Sequence, residues 1–213
     1  MLRRKLLNTL ATGVLGGLLL FSAGAHAAEK PAELANGVEY KKIPQPQSIA
    51  PHSKKVVEVF GYTCPHCYHL EPSVKEWLKT KPADVEFELM PVVFNNPNWI
   101  FMAKVFYTAK ELGVLDQAHG AFFDALHRDK KDLYSVETIA QFFTQFGVKP
   151  EDFTATFKGF KVDQHVRKAQ QLTAAYGVEG VPAVIVNGKY LTDVPMAGNK
   201  AAMWNVVNQL TLQ

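Results

Sequence analysis

The sequence predicts an α/β fold, a small sheet whose strands are separated by a long block of helices. Three observations predict it. The apolar run Val56-Val57-Glu58-Val59-Phe60 has the length and β-branched content of a buried strand, and it leads into Cys64-Pro65-His66-Cys67 and a helical pattern. From about Pro97 to Gly177, apolar residues recur at helical spacing. Beyond Gly177, Ala183-Val184-Ile185-Val186, Asn187-Gly188 and Lys189-Tyr190-Leu191 read as strand, tight turn and return strand. Asn-Gly between apolar runs is the strongest short hairpin signal.

In chain order, residues 1–27 read as an export signal that is removed. Arg3, Arg4 and Lys5 are followed by the apolar stretch Leu6 to Phe21 and by the small-x-small site Ala25-His26-Ala27. An uncleaved membrane anchor is the alternative. The full chain is formally +3; removing three of its 23 basic residues leaves 20 against 20 acidic ones. A neutral mature chain gives no support for a nucleic-acid-binding or membrane-binding patch. About 186 residues remain, enough for one domain carrying an insertion.

Residues 28–53 contain one short strand candidate, Val38 to Ile43, and a loop punctuated by Pro44, Pro46 and Pro51. Lys54 to Gly61 reads as a central strand buried on both faces, because its apolar residues do not alternate with polar ones. Glu58 interrupts it. Two readings stand: a buried proton acceptor near the cysteines, or a carboxylate facing solvent at a sheet edge. The helix that follows runs to Lys79, with Leu70, Val74, Trp77 and Leu78 facing the core and Pro72 as a kink. Asp84 to Pro91 gives the next strand.

The helical block comprises Trp99 to Leu112 closed by Gly113, Leu115 to Leu126, Val136 to Phe146 after Ser135, Glu151 to Phe157, and Phe160 to Tyr176. Phe122, Phe123, Phe142, Phe143, Phe146, Phe153 and Phe157 read as a core belonging to this block. A last helix, Asn199 to Leu212, presents Met203, Val206, Val207 and Leu210 on one face.

The chemistry centres on the only two cysteines, Cys64 and Cys67. With Cys64 at the N-cap, Pro65 takes the first helical position, where its fixed φ suits the helix and its missing N–H is no loss. The amides of His66 and Cys67 and the positive end of the helix then favour a Cys64 thiolate, and a protonated His66 adds to the effect. Stabilising the thiolate stabilises the dithiol and makes the disulfide the stronger oxidant. Cys67, one turn in, is the resolving thiol. A structural disulfide would close too short a loop to constrain the unfolded chain much. Zinc bound by Cys64, Cys67 and His66 or His69 lacks a second Cys/His pair at finger spacing. Two persistent cysteines also fit export from the reducing cytosol.

Cys64-Pro65-His66-Cys67 with Tyr68, Glu58 ahead of it, and Gly180-Val181-Pro182-Ala183 before Val186-Asn187-Gly188-Lys189-Tyr190 resemble the bacterial DsbA family of thiol:disulfide interchange proteins. The resemblance runs from about Val38 to the C-terminus. It implies a thioredoxin-like fold with an inserted all-helical domain, divided as 28–96 and 178–213 for the thioredoxin-like part and 97–177 for the insertion. It also implies a cis Val181-Pro182 peptide facing Cys64, with the Val181 backbone pairing an extended substrate. The implied activity is a periplasmic dithiol oxidase acting on reduced secreted proteins through a mixed disulfide on Cys64. Reoxidation would come from a quinone-linked, DsbB-like membrane partner, with no bound cofactor or metal and a monomeric enzyme. In this family a lysine on the strand beside Glu58 partners it; Asp84 to Pro91 contains none. A reductase or isomerase using the same site is one alternative, and a binding or chaperone module with a structural or zinc-binding Cys pair is another.

Overall fold

The computed structural model describes residues 33–213, so the expected signal segment lies outside the described residues. The strands are β1 (Lys41–Lys42), β2 (Lys54–Phe60), β3 (Val85–Pro91), β4 (Ala183–Val186) and β5 (Tyr190–Thr192). They form one sheet in the order β1-β5-β4-β2-β3, with β2 parallel to β3 and antiparallel to β4. The helix α1 (Pro65–Thr80) links β2 to β3. Five helices then separate β3 from β4: α2 (Pro97–Glu111), α3 (Leu115–His127), α4 (Val136–Phe143), α5 (Pro150–Phe157) and α6 (Phe160–Ala175). Two more close the chain, α7 (Val194–Ala197) and α8 (Lys200–Leu210).

The local signals explain these elements. Asn187 and Gly188 both have positive φ (52° and 64°), which matches the twist of the hairpin joining β4 to β5. A Cβ on Gly188 would also lie 2.2 Å from the Gln47 carbonyl oxygen. Ser135 and Thr138 form a capping box on α4, and Asn96, Asp193 and Asn199 cap α2, α7 and α8 through their side chains. Alternation along the strands divides the core. Val57, Val59 and Ile185 face the helical block, whereas Val56, Val184 and Val186 face Leu70, Val74, Trp77, Met203, Val207 and Leu210.

Four expectations are corrected. The first strand is two residues long, because Gly37 (φ 90°) and the Gly37 N–H to Tyr40 carbonyl bond turn the chain just before it. Leu78 is 37% exposed; Trp77, stacked on Trp204 at 4.6 Å, fills the last turn of α1, and Glu71 joins the buried face instead. The helix after Ser135 stops at Phe143 and tightens into a 3₁₀ turn over Thr144–Phe146 that ends at Gly147 (φ 78°). The phenylalanines are not a core confined to the helical block. Phe122 packs on Tyr62 (4.7 Å between centroids), and Phe106 and Phe123 pack on Phe60 (5.4 and 5.7 Å), so one apolar cluster runs from the sheet into the helices.

Candidate active site

The segment between β2 and α1 is tightly fixed. The Cys64 N–H donates to the Gly61 carbonyl (3.0 Å), closing a turn over Gly61–Cys64. Gly61 admits no side chain, since a Cβ there would lie 2.1 Å from the Trp99 ring. Cys64 has extended backbone (φ −89°, ψ 114°) and is the N-cap of α1, with Pro65 as its first residue. Both cysteines are free thiols. Cys64 is 9% exposed, Cys67 is 1% exposed, and Pro65 and His66 are exposed.

Cys64 Sγ does not cap the helix in this thiol form; its S–H is directed at the Val181 carbonyl oxygen, 3.4 Å away. A thiol donates, and that carbonyl is the acceptor within reach. Once ionised, the sulfur becomes an acceptor. A hydrogen bond from the Cys67 thiol favours the thiolate most, burial opposes it, and the amides of Cys67 and His66 and the charge of His66 add to it. Together they bring the Cys64 pKa from 9.0 down to about 6. Cys67 is pushed far the other way, first by giving its proton to the Cys64 hydrogen bond and then by burial. The Gly61 N–H, which donates to Cys67 Sγ at 3.4 Å, only partly offsets this. Between the two sulfurs, the proton therefore stays on Cys67.

Val181-Pro182 is a cis peptide and stands against Cys64 through the Val181 carbonyl. Beside it lies a cavity of about 360 Å³, lined by His66, Leu70, Val181, Pro182, Val194 and Lys200 among others. Glu58 is fully buried on β2, an interior strand, which removes the sheet-edge reading. Its β3 neighbour is Leu89, and among the described residues neither carboxyl oxygen has a hydrogen-bond partner. Burial, and then the nearby charge of Glu71, raise its pKa well above the usual carboxyl range.

Sequence reasoning missed a buried polar chain beneath the cysteines. The Tyr62 hydroxyl lies 3.0 Å from His119 Nδ1, and His119 Nε2 lies 3.2 Å from Glu71 Oε1. His127 Nε2 donates to the Tyr62 carbonyl oxygen at 2.7 Å. Tyr62 and Glu71 flank the Cys-Pro-His-Cys segment in sequence, but the histidines lie 48 residues or more beyond Glu71, on α3. Their spacing of eight on one helix face was the available signal. Among the described residues, no group of three or more His, Cys, Asp or Glu side chains is placed to hold a metal ion.

Comparison with known proteins bears on this geometry. A family profile described as DSBA-like thioredoxin domain matches residues 55–203. The chain is 36% identical to the thiol:disulfide interchange protein DsbA of Azotobacter vinelandii, over 94% of each chain. It is 37% identical to the protein of that name from Pseudomonas aeruginosa, over 90% of this chain and 89% of the other. The crystal structure of Pseudomonas aeruginosa DsbA superposes with a TM-score of 0.78 at 36% identity, covering 84% of this chain and 93% of that one. A Proteus mirabilis DsbA structure holding a non-covalently bound peptide, PWATCDS, superposes with a TM-score of 0.73 at 29% identity. It covers 85% of this chain and 100% of the other.

Proposed function

The chain belongs to the DsbA family of thioredoxin-fold thiol:disulfide oxidoreductases, and from that premise we propose that it donates a Cys64–Cys67 disulfide to reduced, newly exported proteins in the periplasm. The observation that carries this is the placement of Cys64 at the N-cap of α1 against the cis Val181-Pro182 peptide, with Cys67 buried one turn in, an arrangement that pulls Cys64 toward thiolate and Cys67 toward thiol.

The reaction balances as follows. A substrate thiolate attacks Cys64 Sγ, the Cys64–Cys67 bond breaks, and Cys67 leaves with the electron pair and takes up a proton. The substrate's second thiolate then attacks the substrate sulfur of the mixed disulfide and expels Cys64 as its stabilised thiolate. Two electrons have passed from substrate to enzyme, and the substrate keeps the disulfide. Pro65 sets the first helical residue beneath Cys64, and His66 adds positive charge beside it. Glu58, whose carboxyl burial favours in its protonated form, is the buried acid whose charge state acts on Cys67 as it leaves, without a direct hydrogen bond to it. β3 offers Glu58 no lysine, and burial favours the neutral form of its carboxyl. Val181 and Pro182 form the rim on which an extended substrate lies, with the Val181 carbonyl as an acceptor for its backbone. The peptide held by the Proteus mirabilis relative carries a cysteine, the chemistry this site would take.

The same reading assigns residues 1–27 to the export signal and 97–177 to the helical insertion within a thioredoxin-like domain of 28–96 and 178–213. The Cys64–Cys67 disulfide is the redox group, without a further cofactor. A quinone-linked, DsbB-like membrane oxidase restores the disulfide, and the enzyme works as a monomer. Ultraviolet titration of the Cys64 thiolate, with redox equilibration against glutathione on the same sample, tests the direction of transfer. The expected result is ionisation near pH 6 and a disulfide that glutathione reduces readily. An ordinary thiol titration with a disulfide resistant to glutathione would instead assign the site to reduction.

A further inference from the structure

His119 belongs to the helical block yet is held by residues on both sides of the cysteine segment, Tyr62 and Glu71. It is 8% exposed, and its ring packs edge-on against Phe60 (5.0 Å) and Phe123 (5.1 Å). Both ring nitrogens are engaged, Nδ1 by Tyr62 and Nε2 by Glu71. The tautomer follows from the partners. Burial, followed by the charge of Glu71, holds the Tyr62 hydroxyl protonated, so it donates to Nδ1. Nε2–H then donates to the Glu71 carboxylate, whose other oxygen lies 4.0 Å from Lys75 Nζ.

The sequence positions give this chain its meaning. Tyr62 lies two residues before Cys64, and Glu71 lies one helical turn after Cys67. A single imidazole therefore joins the two segments between which the cysteines are held. A second grip comes from the same helix. His127, two turns further along α3, donates to the Tyr62 carbonyl and stacks on Tyr68 at 5.0 Å. Tyr62 is thus held at its side chain and at its backbone by α3, and only Thr63 separates it from Cys64. Any shift of Tyr62 moves Cys64 Sγ relative to the Cys67 thiol and the first-turn amides.

We propose that His119 is a positioning residue for the redox centre, locking the turn ahead of Cys64 to the cysteine helix so that the helical block sets the oxidising power of the disulfide. This rests on Cys64 being the reactive thiolate. The effect is geometric: the hydrogen bonds that favour the thiolate are short-range, and the chain from Tyr62 through His119 to Glu71 holds their donors and acceptor in register. A residue serving stability alone would lower the melting temperature and leave the sulfur chemistry as it was.

The test is the thiolate titration and glutathione equilibrium of the unmodified protein beside His119→Leu, which removes both hydrogen bonds. In the variant, the Cys64 titration should rise by about one pKa unit, with a shift of about tenfold in the equilibrium with glutathione toward a less oxidising disulfide. A folded variant with a lowered melting temperature but an unchanged titration and equilibrium would overturn the role of His119. Should His119→Leu fail to fold, Tyr62→Phe decides, because it deletes one hydroxyl and keeps the ring packing. An upward shift in its titration supports the proposal and an unchanged one overturns it. An ordinary thiol titration in the unmodified protein would overturn the assignment of Cys64 itself, and the proposal with it.

Discussion

On one face of the sheet, Val56, Val184 and Val186 meet Leu70, Val74 and Trp77 of α1 and Met203, Val207 and Leu210 of α8. The tryptophan N–H groups there are satisfied locally, Trp77 Nε1 by Asn208 and Trp204 Nε1 by Ser73, and Glu58, opposite Val184, is the buried carboxyl on this side of the sheet. On the other face, Val57, Val59 and Phe60 meet the helical block, and both thiols, Tyr62 and His119 lie within or against the apolar packing. Glu58 and Glu71 are buried close enough to these groups for their charges to act on them. The first face is built for cohesion. The second holds groups whose burial costs stability and whose proton affinities are thereby shifted. Glu58 apart, redox tuning here belongs to the second face and is separable from the strength of the fold.

The sharpest way to break that separation is to remove its chemistry. Cys64→Ser should abolish disulfide transfer to a reduced model peptide, and Cys67→Ser should trap mixed disulfides when its Cys64 thiolate attacks an oxidised, disulfide-bonded peptide. Both variants should fold, as judged by circular dichroism. Finding no trapped species would reverse or dissolve the roles assigned to the two sulfurs. On the opposite face, Leu210→Ala should cost about 2–5 kcal/mol in denaturant unfolding through the cavity it leaves. The Cys64 titration of that variant should match the unmodified protein; a shift would mean that the two faces are coupled.

Much of the cohesive face was legible in the sequence because burial of hydrocarbon leaves a period. Val74, Trp77, Val207 and Leu210 could be read from helical spacing, and the Asn187-Gly188 hairpin from turn chemistry. The cysteine turn was legible as well, since the N-cap, the N1 proline and the thiol spacing are all local. His119 and His127 were not, because each is one histidine in an otherwise ordinary amphipathic pattern. Their contacts depend on which residues α3 meets, and that is set by the way five helices fold back on the sheet. Leu78 failed for a related reason. Spacing marks a face of a helix but not where its neighbours end.

Glu58 supplies the next test. Its pKa is raised in the folded state, so its contribution is fully present below the unfolded value of 4.5 and is lost as pH rises toward the folded value. Glu58→Gln removes that loss. The variant should gain melting temperature relative to the unmodified protein, by about 2–8 °C for a gain of about 1–2 kcal/mol. The gain should grow as pH rises above 4.5. A gain independent of pH would mean that the carboxyl is not the group held neutral.

Cys64 runs the other way, and its pH window separates it from Glu58. Its folded pKa, about 6, lies below the ordinary 9.0, so the stability it adds to the reduced protein is present above 9.0 and is lost as pH falls through about 6. The melting temperature of the reduced protein minus that of reduced Cys64→Ser should therefore increase between pH 6 and pH 9 and be flat below that range. A difference that stays level across the window would remove the thiolate from the energetics of the site.

Leu78, in the last turn of α1, should respond least to substitution. Leu78 lies on the same helix as Cys67, Leu70 and Trp77 and shares their spacing, but it is exposed, whereas Trp77 stacks on Trp204 and meets Phe87 edge-on at 5.7 Å. An exposed leucine that fills no cavity has little transfer free energy to lose, so Leu78→Ser should change stability by no more than about 0.5 kcal/mol. Trp77→Ala, one residue away, should cost about 3–5 kcal/mol, because it empties the space between α1, α8 and β3. Equal losses at the two positions in parallel urea titrations would show that Leu78 packs in solution. The cohesive face would then extend one residue further along α1 than the structure places it.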